Sequence, residues 1–282
     1  MPYIGNVTTD FNVNTENIDN QSVTAIKLSP ASVGSNGQVL GVNGSGALQW
    51  VTDSSTPGAG TITAAMIASG LGLVTTDAQS NTVAGTNAGD SFTGTSATYN
   101  TLFGHEAGTA ITTGDYNTAV GGRDTLKATT TGNYNVALGN FTLSLNTTSS
   151  NNTAVGYAAL NQNTAGNNTA VGHLALNVNT TGTRNVAVGY NALDANTTAG
   201  NNTAVGYLAL TDNTTGAYNT ALGDGSLGNN TTASENTAVG YAALNLNSTG
   251  TRNNALGDRA LASNTTGNYN CAFGNFALNA NT

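Results

Sequence analysis

From residue 81 onward the apolar positions follow one cadence. Each copy opens with Asn and a small polar residue, then gives Ala and a larger aliphatic, a Gly, a variable pair, a second Ala-Leu pair and a polar N-T-T-G stretch. The idealised copy reads N-T-A-V-G-Y-x-A-L-x-x-N-T-T-G-x-x, as in NTAVGYLAL at 202–210. The opening residues are Asn81, Asn100, Asn117, Asn135, Asn152, Asn168, Asn185, Asn202, Asn219, Asn236, Asn253 and Asn270, twelve copies spaced 16 to 19 residues apart and 17 apart from Asn168 onward. Helical repeats need about 33 residues per unit, so this period predicts strand-turn-strand-turn coils. The fold expected is all-β: a parallel β-solenoid of twelve coils over 81–282, behind a small N-terminal β or extended region.

The fifth position is Gly in every copy, among them Gly156, Gly172, Gly189, Gly206, Gly223 and Gly240. That predicts a corner where φ is positive or another backbone passes close by. The N-T-T-G segment supplies the second turn, because Asn and Gly tolerate left-handed geometry. Strand side chains alternate, so positions 2 and 4 face one way and position 3 the other. Both directions are apolar, and a strand apolar on both sides is covered on both. The expected coil core pairs position 4 with the leucines of the second strand: Val155 with Leu160, Val171 with Leu176, Val188 with Leu193, Val205 with Leu210, and Val239 with Leu244. The small position-3 residues Ala119, Ala137, Ala154, Ala170, Ala187, Ala204, Ala221, Ala238, Ala255 and Ala272 are then expected to pack against another copy of the chain. Stacking at about 4.8 Å per coil makes a rod roughly 55 Å long, with the opening Asn residues placed to form an amide ladder. The chain stops part-way through a copy, so a further element is expected to cover that end.

Composition narrows the function. Charged residues are 7% of the chain, with 14 acidic and 6 basic residues giving a net charge of -8. No Lys/Arg run is present to neutralise a row of phosphates, which argues against nucleic-acid binding. No stretch approaches the roughly 20 apolar residues of a membrane helix, so membrane insertion is not expected. The opening MPYIGNVTTDFNVNTENIDN lacks the basic and apolar regions of a secretory signal, which implies a chain made in a cytoplasm. A single cysteine, Cys271, leaves no intrachain disulfide framework.

The N-x-A-V-G-x-x-A-L copies resemble the N-S-V-A-I-G repeats of trimeric autotransporter adhesin heads. The resemblance implies left-handed parallel β-rolls wound into a homotrimer, and the alanine face expected from the repeat would then be its interface. It covers 81–282. Residues 22–51, SVTAIKLSPASVGSNGQVLGVNGSGALQWV, resemble a segment that recurs in phage tail fibres, and MPYIGN resembles the start of virion proteins from tailed phages of cyanobacteria. These resemblances imply a virion fibre: 1–20 a virion-attachment arm, 21–53 a small β collar, 54–80 a linker with a docking segment at 61–73, and 81–282 the shaft. The implied partners are other virion proteins through residues 1–53 and a host surface glycan or protein, with the virion as location. A bacterial trimeric surface adhesin head at the cell surface is the alternative, and a glycan-cleaving tail spike the third reading.

Candidate chemistry is sparse, and neither an enzyme nor a cofactor is expected. His105 and His173 follow corner glycines four coils apart, too far to share an ion within one chain. Asp224 and Asp258 hold the same corner two coils apart, near the separation of an inverting glycosidase pair, but with no third acid or loop insertion beside them. Arg184, Arg252 and Arg259 fall on turns, placed to meet an acidic glycan, and Cys271 takes a Thr position as a small half-buried substitute.

Overall fold

The computed structural model describes residues 38–42, 48–52, 75–92 and 96–281. The chain divides into two units, Met1–Met66 and Ile67–Thr282. In the first, β1 (Gln38–Val42) and β2 (Leu48–Thr52) form an antiparallel hairpin that pairs Gln38 with Thr52 and Val42 with Leu48, inside the segment read as a collar. The arm at 1–20 and the docking segment at 61–73 lie outside the described residues.

The second unit is a parallel β-solenoid. A short strand, β3 (Thr75–Thr76), runs antiparallel to β4 (Thr82–Ala84). From β4 onward all pairing is parallel, through β5 (Thr101–Phe103), β6 (Thr118–Val120), β7 (Val136–Leu138), β8 (Thr153–Val155), β9 (Thr169–Val171), β10 (Val186–Val188), β11 (Thr203–Val205), β12 (Thr220–Leu222), β13 (Thr237–Val239), β14 (Asn254–Leu256) and β15 (Cys271–Phe273). The strands stack in sequence order with equivalent positions opposite, as in Ala187 against Ala170 and Ala204. No helix among the described residues is long and apolar enough to cross a membrane.

From β5 to β15 each strand holds three residues and buries only the middle one. The interior column is therefore the alanine column: Ala119, Ala137, Ala154, Ala170, Ala187, Ala204, Ala221 and Ala238 are completely buried within their own chain, Ala255 and Ala272 almost so. These alanines face the inside of the coil, opposite to the sequence expectation, and cannot meet a second chain. Val155, Val171, Val188, Val205 and Val239 point outward and are half-buried. Coil width explains the reversal. Leu160, Leu176, Leu193, Leu210 and Leu244 fill the lumen from the opposite arm and are fully buried, leaving room on the strand side for little more than a methyl group.

The leucine arm is not the second strand that was expected. Its residues alternate in handedness: positions 7 and 9 are left-handed, for example Ala158 at φ 54 and Leu160 at φ 51. Left-handed geometry costs a non-Gly residue roughly 1–2 kcal/mol. Burial of a whole leucine, worth about 1.5–3 kcal/mol, offsets it. The alternation also turns amides to both neighbouring coils, so that Ala158 N donates to Asn140 O and Leu160 N to Ala175 O.

Two buried columns of asparagine close the coils. The opening Asn residues form the expected ladder, each accepting at Oδ1 from the backbone N of the next opening Asn at 2.8–3.1 Å. A second ladder, unforeseen, runs through the Asn of N-T-T-G. Asn179, Asn196, Asn213, Asn230, Asn247 and Asn264 each donate from Nδ2 to Oδ1 of the preceding rung at 2.7–3.2 Å. Both ladders converge on one carbonyl per coil. Gly216 O accepts from Asn202 Nδ2 at 2.8 Å and from Asn213 Nδ2 at 2.9 Å. The two side chains thus pin the end of a coil back to its beginning, and satisfy groups that would be costly to bury unpaired. At the first coil Asp77 stands in for the missing rung: its Oδ1 accepts from Asn81 N at 2.8 Å and its Oδ2 from Asn81 Nδ2 at 2.9 Å.

Candidate interaction surface

Because position 3 points inward, positions 2 and 4 build the outer face of the sheet. Position 2 is mostly Thr, as in Thr153, Thr169, Thr203 and Thr237; position 4, after Ala84 in the first coil, is a column of Val, Leu and Phe. Parallel pairing in register lays like against like, Val188 beside Val171 and Val205. The larger members stand well clear of the surface: Leu138 is 44% exposed, Leu222 47% and Phe273 74%. Neither position carries a charged residue in any of the twelve coils.

Aromatic rows run along the rod at the residue just before the opening Asn and at position 6, which precede and follow the strand. Tyr99, Tyr116 and Tyr134 stack at 4.9 and 5.0 Å between ring centroids. Tyr157, His173, Tyr190 and Tyr207 form a four-ring stack at 5.2, 5.1 and 5.3 Å. In both rows the ring faces cover one another and about half of each tyrosine stays exposed. The spacing is the coil spacing, so the stacking follows from the fold wherever successive copies hold an aromatic at that position.

The structure scatters the polar candidates. His105 is exposed, and His173 sits between Tyr157 and Tyr190. Asp224 is exposed; Asp258 lies 3.7 Å from Arg259, whose guanidinium stacks over Tyr241 and Phe276. Arg252 pairs with Glu235 at 2.8 Å and stacks over Tyr269, and the Arg252 hydrogen bond holds the Glu235 carboxyl below its ordinary pKa. Arg184 is exposed on its turn. Lys127 bridges Glu106 at 3.1 Å and Asp124 at 2.7 Å, and those two hydrogen bonds raise its pKa. Cys271 is exposed in the position-2 column, rather than half-buried. Among the described residues no three His, Cys, Asp or Glu side chains gather into a group that could hold a metal.

One carboxylate is out of place. Asn161 and Asn245 at position 10 donate from Nδ2 to the position-7 carbonyl of the preceding coil, to Phe141 O at 2.9 Å and Gly225 O at 2.8 Å. In the coil from Asn185 that position is Asp194, which has no such proton to give when ionised. Its Oδ1 is buried without a partner, and burial raises its pKa against the opposing effects of an Asn177 hydrogen bond and the His173 charge.

The signal that could have oriented the strand was size. Position 3 is Ala in ten of twelve copies, whereas position 4 ranges over Ala, Val, Leu and Phe. A lumen tolerates one volume and a surface several.

No family model matches this chain, and no curated protein or solved structure matches it either. Its fold defines it as a parallel β-solenoid repeat protein.

Proposed function

We propose that the chain is a structural and host-recognition fibre element of a virion: a homotrimeric solenoid shaft, anchored through residues 1–53 to other virion proteins, that meets a glycan or protein on the host surface. The observation that supports this best is the single sheet in which β4 to β15 stack in phase without interruption. Every coil is held to the next by backbone and Asn side-chain bonds, so the unit is a stiff spacer whose surface features run the length of the rod as continuous columns. The resemblance of residues 22–51 to phage tail-fibre segments gives the rod its setting, and the repeat's resemblance to adhesin heads gives the trimer.

The test is direct. Antibody raised against 81–282 should label purified virions, and the chain should bind host cells and have a solution mass near three times 28.1 kDa. Absence from virions together with labelling of a bacterial surface would transfer the same rod to the alternative reading, a surface adhesin head.

A further inference from the structure

We propose that copies of this chain pair through the outer Thr and Val/Leu face of β4 to β15, parallel and in register. The inference rests on the fibre reading for the trimer and for the parallel sense, since a common mounting end requires it, and goes beyond that reading in assigning the face and the register.

The face is continuous and, among the described residues, uncovered. With twelve coils at about 4.8 Å and a width of roughly 10 Å for two outward columns, it presents about 500 Å² per chain. The position-4 aliphatics run through it as an unbroken apolar strip beside the mostly Thr column, and the largest apolar patch on a protein surface is often a functional one. Three such faces meeting at one axis bury about 1,500 Å² in the closed ring, about 500 Å² for each pair of neighbours, so the assembly holds by closing all three contacts at once. The absence of charge selects what lies on it. Twelve coils without an acid or base at positions 2 and 4 leave nothing for a charged partner to read, whereas aliphatic and Thr side chains pack dry against their own kind.

Periodicity points to the occupant. A globular partner would touch a few coils and leave the others wet. A surface that repeats at the same axial rise can engage every coil with the same contact, and the surface certain to have that rise is another copy of this chain. Cys271 provides a marker, because it stands exposed in the position-2 column at β15. Parallel copies bring their Cys271 thiols together at one end of the face, and antiparallel copies separate them by the length of the rod.

The test uses the full chain. In the triple variant Val188→Lys, Val205→Lys, Val239→Lys the new ammonium groups replace half-buried outward residues, so the coil interior is left intact. Its light-scattering mass should fall about threefold, to the 28.1 kDa monomer, with the strand-rich circular dichroism retained. A control pair on the exposed turn, Thr198→Lys with Thr215→Lys, should keep the wild-type mass. A short bis-maleimide should link Cys271 to Cys271 in the wild type at micromolar protein, giving a covalent dimer on a denaturing gel. That second measurement stands even where the triple variant fails to fold. A folded triple variant that stays assembled, or an assembled wild type that gives no Cys271 link, would overturn the face or the parallel register and leave the fibre reading standing. A monomeric wild type that still labels virions would overturn self-pairing and the trimer with it, and leave the virion assignment standing.

Discussion

The corner glycines offer the sharpest check on how the coils are held. At Gly206 φ is +144, and an added Cβ would lie 2.4 Å from Gly223 O and 2.6 Å from Gly223 C. Both atoms are backbone of the next coil, so relief requires moving a coil that is tied by Gly223 N to Val205 O at 2.9 Å. Gly206→Ala therefore combines backbone strain of about 1–3 kcal/mol with overpacking of about 1–3 kcal/mol, roughly 2–6 in all. Gly225, one coil along, separates the two contributions. Its φ is +62, a Cβ there would approach only the flexible Asn245 side chain at 3.4 Å, and Ala242 already adopts φ 51 at the same coil position. Gly225→Ala should cost only about 1 kcal/mol of left-handed strain. The assay is hydrogen exchange on the β11 and β12 amides beside urea denaturation, because a stacked solenoid can open locally. Gly206→Ala should lower local protection about 150-fold more than Gly225→Ala, a gap of about 3 kcal/mol from the centre of that range. Equal losses would refute the argument that coil-to-coil contact, rather than φ alone, demands glycine at the corner.

Three further outcomes are expected. Asn213→Ala removes the donors to Gly216 O and Asn196 Oδ1 and the acceptor of Asn230 Nδ2, and should destabilise by about 2–3 kcal/mol in urea melts; Asn213→Asp should not rescue it, since the carboxylate lacks the donor. Asp194→Asn should raise the unfolding free energy at pH 7 by about 1 kcal/mol, read in urea melts, by restoring a position-10 amide donor. Because the folded Asp194 pKa lies above its ordinary 3.8, the carboxyl is best tolerated when protonated, so its contribution to stability is complete below the unfolded pKa and lost as pH rises through the folded one. The advantage of Asn should accordingly fade on acidification through that window, and a gain independent of pH would contradict the assignment. Asp77→Ala should fray the first coil, seen as faster exchange at Asn81 and Thr82, while β8 to β13 keep wild-type protection.

Much of the architecture was legible in the residues. A 17-residue period is too short for paired helices, and an invariant fifth-position Gly can only be a corner. The opening Asn, at constant phase, announced a ladder, because identical side chains stack wherever coils stack. The second ladder was hidden by a local meaning: Asn before Thr-Thr-Gly reads as a turn former, and only closure of the coil carries Asn179, Asn213 and their equivalents into the interior, onto carbonyls three residues further along.

Period, coil number, corner glycines and the first Asn ladder were thus determined by sequence alone, since each follows from a local rule applied in phase. The facing of the strand was decided by tertiary structure. A three-residue strand with Thr, Ala and Val carries no polar-apolar contrast between its sides, so alternation leaves either facing open. The choice falls to volume: leucines held by left-handed backbone on the opposite arm fill the lumen, and only alanine fits across from them. The larger aliphatics are thereby turned out to form a continuous apolar column along the described coils.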